Sequence, residues 1–414
     1  MKKQLFLFVF AITLYFFGLY TLVRKTGPFF YYYYITSWWS YIIFLDAVLS
    51  LRHKRFFVLN RYLPFLIIIS SGYWCLFELI NIQLQNWFYI NLPQEISYRY
   101  LGYLLGFGTV LPAIYLTQEA IQSVLGKMHV KSIHVPHYSL YALITGGVAL
   151  VLTIAIPECC FALAWVFPFL LCDGFNYLHG YNSFMGDLQE GRMEQLVSSL
   201  LSGLVCGFLW EFWNYWSLTK WVYSVPFFEK GKIFEMPLVG YVGFLIFSLG
   251  TIAFKNFLDR IAVRGHWKSF VLIASIVFSL ITFPLIDNYT VFSYTPKTEE
   301  LVFLQLDTAD LLRKQKVYTS YEIDPQLLKK EEGQSLELMR LKGLGYKNLS
   351  LLEQAGIHNI EDLSKIDEAA LSTILKEKNM RRVRIYLKAA KDYRKISLSR
   401  IDIPNVYMVK YQSR

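Results

Sequence analysis

Seven acidic residues, Asp46, Glu78, Glu119, Glu158, Asp173, Glu211 and Glu235, stand within or at the ends of long apolar runs. Basic residues are nearly absent from those runs, so internal ion pairs cannot neutralise all seven. A carboxylate at the centre of a bilayer costs at least about 2.5–3.5 kcal/mol on insertion scales, so it needs a partner, a proton or a task. A carboxyl group held away from water keeps its proton more tightly, which suits it to acid/base work near neutral pH.

The densest chemistry lies in residues 209–238, which carry Trp210-Glu211-Phe212-Trp213-Asn214-Tyr215-Trp216, then Trp221 and Tyr223, then Glu235 before Pro237. Ser199, Gly203, Gly207, Glu211 and Tyr215 recur at every fourth position, one narrow stripe on a helix. Its small members allow a neighbouring helix to approach closely and hold Glu211 at a helix–helix seam. The expectation is an aromatic pocket formed by Trp210, Trp213, Trp216, Trp221 and Tyr223. Ring faces attract a developing positive charge there. Glu211 is the lead acid, Asn214 and Tyr215 position it, and Glu235 is the second acid or base. The equal alternative is an interfacial belt of Trp and Tyr.

A second polar cluster, Asp173, Asn176 and Asp187 with nearby glycines, reads either as a capped, turn-rich connection or as a site for a metal or a phosphate-bearing headgroup. Its spacing fits no metal motif. His129, His134 and His137 fall in a connecting segment. The five cysteines lie in apolar stretches without C-x-x-C spacing and read as packing residues. The expected metal set is therefore none, and the cofactor is left unknown.

These residues need elements that place them. The 414-residue chain is 55% hydrophobic and 17% charged, against about 25% charged in an average soluble chain. Nine apolar runs, near 5–23, 29–51, 62–82, 98–120, 138–156, 159–178, 196–218, 237–258 and 268–286, approach the length that crosses a bilayer core of about 30 Å. The fold class is all-α: a polytopic transmembrane bundle of about eight to ten spans over residues 1–289, with a small soluble helical C-terminal domain. The first run has no small-x-small cleavage site and reads as a retained span. Lys2 and Lys3, Arg52 to Arg61, Lys127 and Lys131, and Arg260, Arg264 and Lys268 fall on one side for nine spans, with Arg24 and Lys25 the exception. That side is the cytoplasm by the positive-inside rule, in a multi-pass protein of the cell (inner) membrane. The same parity places everything after Tyr289 on the opposite side. No internal repeat is evident.

Composition changes near Pro296: residues 296–335 read as a linker or arm and 336–414 as a helical domain with a basic tail. Leu341-Lys342-Gly343-Leu344-Gly345-Tyr346-Lys347, followed by Leu352, Ala355, Gly356 and Ile357, resembles the helix-hairpin-helix family. That resemblance implies two short helices about a Gly-hydrophobic-Gly turn. In nucleic-acid-binding members Gly343, Gly345 and Lys347 would face phosphate. Arg381, Arg382, Arg384, Lys388, Lys391, Arg394 and Lys395 extend the basic surface, toward nucleic acid, a protein partner or anionic lipid.

Trp221-x-Tyr223, followed by Glu235-Met236-Pro237-Leu238 and an apolar Gly-Phe run, is faintly similar to the membrane-bound lycopene cyclase and carotenoid hydratase group, without the paired Glu-Glu after Pro that marks the cyclases. The resemblance implies proton-initiated chemistry on an isoprenoid. The first reading is thus an integral membrane enzyme for a hydrophobic isoprenoid or lipid, whose partners are the bilayer and that small molecule. The alternatives are a proton- or cation-coupled transporter, and a membrane scaffold presenting the C-terminal module to a protein or DNA.

Overall fold

The computed structural model describes residues 2–226, 231–261 and 265–398. Arg264, residues 399–414 and the side chains of Arg394 and Lys395 lie outside the described part. The first body contains α1 (Lys2–Arg24), α2 (Tyr33–His53), α3 (Leu63–Leu84), β1 (Trp87–Ile90), α4 (Ile96–Phe107), α5 (Val110–Leu125), α6 (Tyr138–Ala155), α7 (Pro157–Cys160), α8 (Leu163–Leu178), α9 (Phe184–Gln189), α10 (Glu194–Trp216), β2 (Lys220–Tyr223), β3 (Lys232–Ile233), β4 (Met236–Pro237), α11 (Tyr241–Ile261) and α12 (Gly265–Tyr289). The second contains α13 (Leu306–Lys314), α14 (Lys330–Arg340), α15 (Gly345–Gln354), α16 (Ile360–Lys365), α17 (Glu368–Leu375) and α18 (Met380–Leu398). The all-α expectation holds except for two short antiparallel ribbons, β1–β2 and β3–β4.

Among the described residues, eight helices are long and apolar enough to cross a membrane; α8 is a shorter apolar helix where a ninth span was expected. Leu5, Phe6 and Val9 on α1, Ile144, Val148 and Val151 on α6, and Phe270, Ile273 and Leu280 on α12 point outward and exposed. So large an apolar exterior suits lipid rather than water. α4 and α5 form one such helix with a break at Gly108, where an added Cβ would sit 2.7 Å from the Leu104 carbonyl oxygen and 2.8 Å from Ile67.

Basic clusters gather at one end of the bundle. Lys3 lies over the Phe56 ring at 4.4 Å, Arg52 donates to Ser123 Oγ at 3.4 Å, and Lys268 lies over Tyr62 at 4.4 Å. At that end Asp46 accepts the backbone N–H groups of Phe57, Val58 and Leu59, at 2.8, 3.0 and 2.6 Å. The β1–β2 ribbon and the second body occupy the other end.

The small-residue stripe of α10 seats α11. A Cβ on Gly203 would lie 2.3 Å from the Phe244 carbonyl oxygen, and one on Gly207 would lie 2.5 Å from the Phe244 ring. Gly203→Val is therefore expected to cost at least about 1–3 kcal/mol by overpacking. Gly147→Ala, where nothing lies within 4 Å, should be neutral or slightly stabilising. Thermal unfolding in detergent, followed by monodispersity on a sizing column, checks both; equal behaviour of the two variants would contradict the seam.

Candidate functional site

Two segments of the chain build the site in the same way. At the end of α3, Asn81 donates to the Trp87 carbonyl at 2.8 Å and its Oδ1 accepts the Asn86 and Trp87 N–H groups. At the end of α10, Asn214 donates to the Trp221 carbonyl at 3.0 Å and its Oδ1 accepts the Trp221 N–H at 3.1 Å. Each buried amide thus clamps the strand that follows its helix. One turn before each Asn stands a fully buried glutamate, Glu78 or Glu211. Two residues beyond each clamped Trp stands a tyrosine that donates to it: Tyr89 to Glu78 Oε1 at 2.6 Å, Tyr223 to Glu211 Oε1 at 2.7 Å.

β1 and β2 pair antiparallel with Trp87 opposite Tyr223 and Tyr89 opposite Trp221. The two Glu-Asn-Trp-Tyr sets are therefore related by a local two-fold axis through the ribbon. The correspondence extends further back. Asp46 accepts N–H groups 11 and 12 residues on, and Asp173 does the same with Phe184 and Met185, at 2.7 and 3.3 Å. α1 packs on α2 as α6 packs on α8. The bundle thus contains an internal repeat, contrary to the sequence reading. Four matched residues spread over a dozen positions were the available signal; the apolar filler between them is unrelated.

An apolar cavity lies between the halves, with about 1380 Å³ of empty space counting the part open to the outside. Tyr34, Trp74, Trp87, Tyr89, Tyr103, Phe107, Trp165, Trp210, Trp221, Tyr223, Phe244 and Phe247 line it. Trp74 and Trp210 stand 5.0 Å apart between centroids, and Tyr34 meets Trp221 edge-on at 5.1 Å. The carboxyl groups sit behind this wall, and the tyrosines connect them to it. Glu78 also accepts from Trp74 Nε1 at 2.8 Å and Trp87 Nε1 at 3.1 Å. The second oxygen of each glutamate, Glu78 Oε2 and Glu211 Oε2, is buried with no partner among the described residues. An orphan buried acceptor is uncommon in a native interior and leaves a place for a proton. Burial, and next the adjacent carboxylate, push the Tyr89 and Tyr223 hydroxyls well above their ordinary range, so both keep their protons and act as donors.

Of the residues expected at the pocket, Trp210, Trp221 and Tyr223 line it, Glu211 stands one hydrogen bond behind, and Asn214 clamps its strand. Trp213 instead packs on Trp38 at 4.9 Å, Trp216 is exposed, and Tyr215 lies against Phe234 and Lys220. Asp173, Asn176 and Asp187 lie away from the cavity. Asp173 holds Tyr138 and the turn at Phe184, Asn176 donates to the Ala253 carbonyl at 2.8 Å, and Asp187 pairs with Arg192 at 2.5 Å. Glu78, Asn81 and Tyr89 were not expected in the site. Among the described residues, no three His, Cys, Asp or Glu converge as a metal site.

Glu235 stands apart from the acid pair. Its Oε1 accepts from Lys220 Nζ at 2.7 Å and its Oε2 from Lys342 Nζ at 2.6 Å, all three side chains being nearly buried. Burial alone would push this carboxyl up, but the ammonium groups of Lys220 and then Lys342 outweigh it and hold the carboxyl well below its usual range. Burial draws Lys342 down to about 8, opposed by Glu235; it stays charged at neutral pH. Glu235 is thus tied to two ammonium groups and does not line the aromatic cavity, where the expectation had placed it beside Glu211.

These ion pairs dock the second body on the ribbon end. Lys342 stands at a sharp turn between α14 and α15, with φ of 44° there and 71° and 80° at Gly343 and Gly345. A Cβ on Gly343 would meet Ile90 at 2.6 Å and one on Gly345 would meet Ser293 at 2.7 Å. Arg381 donates to the Leu84 carbonyl at 2.9 Å, and Arg382 lies over the Phe292 ring at 3.6 Å. Lys347 is exposed. Because the folded-state pKa of Glu235 is depressed, its contribution is complete above about pH 4.5 and is lost as pH falls below that toward the folded value. Docking is expected to hold at pH 7 and loosen below about pH 4.5. A fluorophore pair spanning the ribbon end and α18 would report it during denaturant titration; undocking that needs as much denaturant at pH 3 as at pH 7 would refute the latch.

The sequence matches no protein-family model, no curated protein and no solved structure.

Proposed function

We propose that the chain is a multi-pass membrane enzyme that acts on an isoprenoid or lipid by acid/base chemistry in the aromatic cavity. The observation that carries this reading is the pair of Tyr–Glu contacts facing one apolar space. A protonated glutamate can pass its proton to the tyrosine oxygen as the tyrosine O–H protonates a substrate double bond. The opposite pair, starting ionised, can take a proton from the resulting cation. The sum is a rearrangement with no net gain or loss of protons, and indole and phenyl faces stabilise the cation between the two steps. Tyr89 and Tyr223 are the catalytic residues, Glu78 and Glu211 act through them, and Asn81 and Asn214 position the strands. Trp210 and Trp221 bind the substrate.

The test compares lipid extracts of the purified wild type and Glu211→Gln by mass spectrometry. A bound hydrophobic compound in the variant, replaced in the wild type by an isomer, supports the enzyme. No bound compound in either, or the same compound in both, overturns it.

The local two-fold axis favours a second reading, a proton- or cation-coupled transporter. Parallel repeats with buried acids at their interface build many such proteins. A pH-dependent solute flux in liposomes that disappears in Glu211→Gln would select it. A protein or nucleic-acid partner of residues 336–398 would meet the outer face, on the Lys347 side, since Gly343 and Gly345 are turned onto the bundle.

A further inference from the structure

A cleft of about 350 Å³ lies between the ribbon end of the bundle and α18. Lys232, Arg381, Arg384 and Lys388 line it, and Tyr223 and Val225 line both this cleft and the aromatic cavity. Two side chains therefore form the shared wall between an apolar chamber and a cationic one. We propose that the cleft binds the phosphate or diphosphate head of an amphipathic isoprenoid or lipid whose tail fills the aromatic cavity. This rests on the functional reading above and narrows its substrate class.

The charge balance supports an anion. Arg384 is paired with Glu368 at 3.1 Å, both about half exposed, and exposed pairs of this kind are weak. A phosphate offering several oxygens to guanidinium and ammonium groups makes stronger, charge-assisted contacts. Among the described residues, Glu158 also acts on the cleft, through Arg381. Arg381 is held in place by the Leu84 carbonyl and Asn86, whereas Lys388 is exposed and ready to reach a ligand. A basic pocket at the water-facing end of apolar helices is where lipid headgroups are recognised. The arrangement also breaks the symmetry of the two acid pairs, because the head lies beside Tyr223–Glu211 and the far tail beside Tyr89–Glu78.

The full-length protein in phosphatidylcholine nanodiscs is titrated with farnesyl diphosphate, farnesol and inorganic pyrophosphate, with tryptophan fluorescence as the readout. Farnesyl diphosphate is expected to bind at least about tenfold more tightly than either other probe. The exposed double variant R384Q/K388Q is expected to lose at least about tenfold in that affinity while its farnesol affinity is unchanged. Equal binding of farnesol and farnesyl diphosphate, or an unchanged double variant, overturns the headgroup site and leaves the apolar cavity standing. Pyrophosphate binding as tight as farnesyl diphosphate marks a free-anion site and overturns the lipid assignment. Absence of binding by all three overturns the inference, and the lipid-extract comparison then decides the enzyme reading separately.

Discussion

Replacing Glu78 and Glu211 together with glutamine is expected to slow conversion of the bound lipid by about 10²–10⁴-fold. A glutamine carbonyl still accepts the tyrosine hydroxyl, so the ribbon keeps its clamps and the fold persists, but the amide holds no transferable proton. The single variants carry the finer information. If one pair donates and the other receives, either single replacement should cost nearly as much as both, because groups acting as a unit are strongly non-additive. If each pair serves its own end of the substrate, the two losses should multiply. Tyr223→Phe removes the link between cavity and carboxyl and should match Glu211→Gln in rate. A double variant retaining more than about a tenth of wild-type turnover would remove the carboxyl groups from the chemistry altogether.

Glu235→Ala should lower stability at the ribbon end by about 3–5 kcal/mol, the usual range for breaking a buried ion pair by removing one partner. Two nearly buried ammonium groups, Lys220 and Lys342, would then lose the carboxylate to which both donate. Lys342→Met should be milder, because it leaves Lys220 and Glu235 as a balanced one-to-one pair. The expected order of damage is therefore wild type, then Lys342→Met, then Glu235→Ala. Protease cutting within 296–335 and the thermal midpoint of the second body both read it. The reverse order would mean that the cations, not the carboxylate, determine docking.

Glu235 also shows where the sequence misleads. Its spacing from Trp221 and its place before Pro237 made it a natural second acid. Lys220 lies fifteen residues away and Lys342 more than a hundred, and only folding brings the three together. Asp173 and Asn176 were ambiguous for the same reason: their partners Phe184 and Ala253 are backbone groups, and a sequence does not announce which backbone will stand opposite. Trp213 and Trp216 sit on the same helix as Trp210, but only the partner helices decide which indole meets the cavity.

What the sequence determined by itself is local and periodic. Apolar length gave the helices of the bundle, and loop charge gathered the basic clusters at one end. The four-residue stripe through Gly203 and Gly207 led to the tight seam that buries Glu211. Each of these rests on a preference that neighbouring residues express without help: apolar surface leaving water, or a missing Cβ permitting close approach. Tertiary structure alone decided the pairing of tyrosine with glutamate. Tyr223 reaches Glu211, and Tyr89 reaches Glu78, because a buried asparagine bends each strand back over its own helix. The two sets meet because β1 and β2 complete each other's backbone hydrogen bonds. Strand pairing is set by contacts between distant segments, so the two-fold site it creates has only a sparse trace in the order of residues.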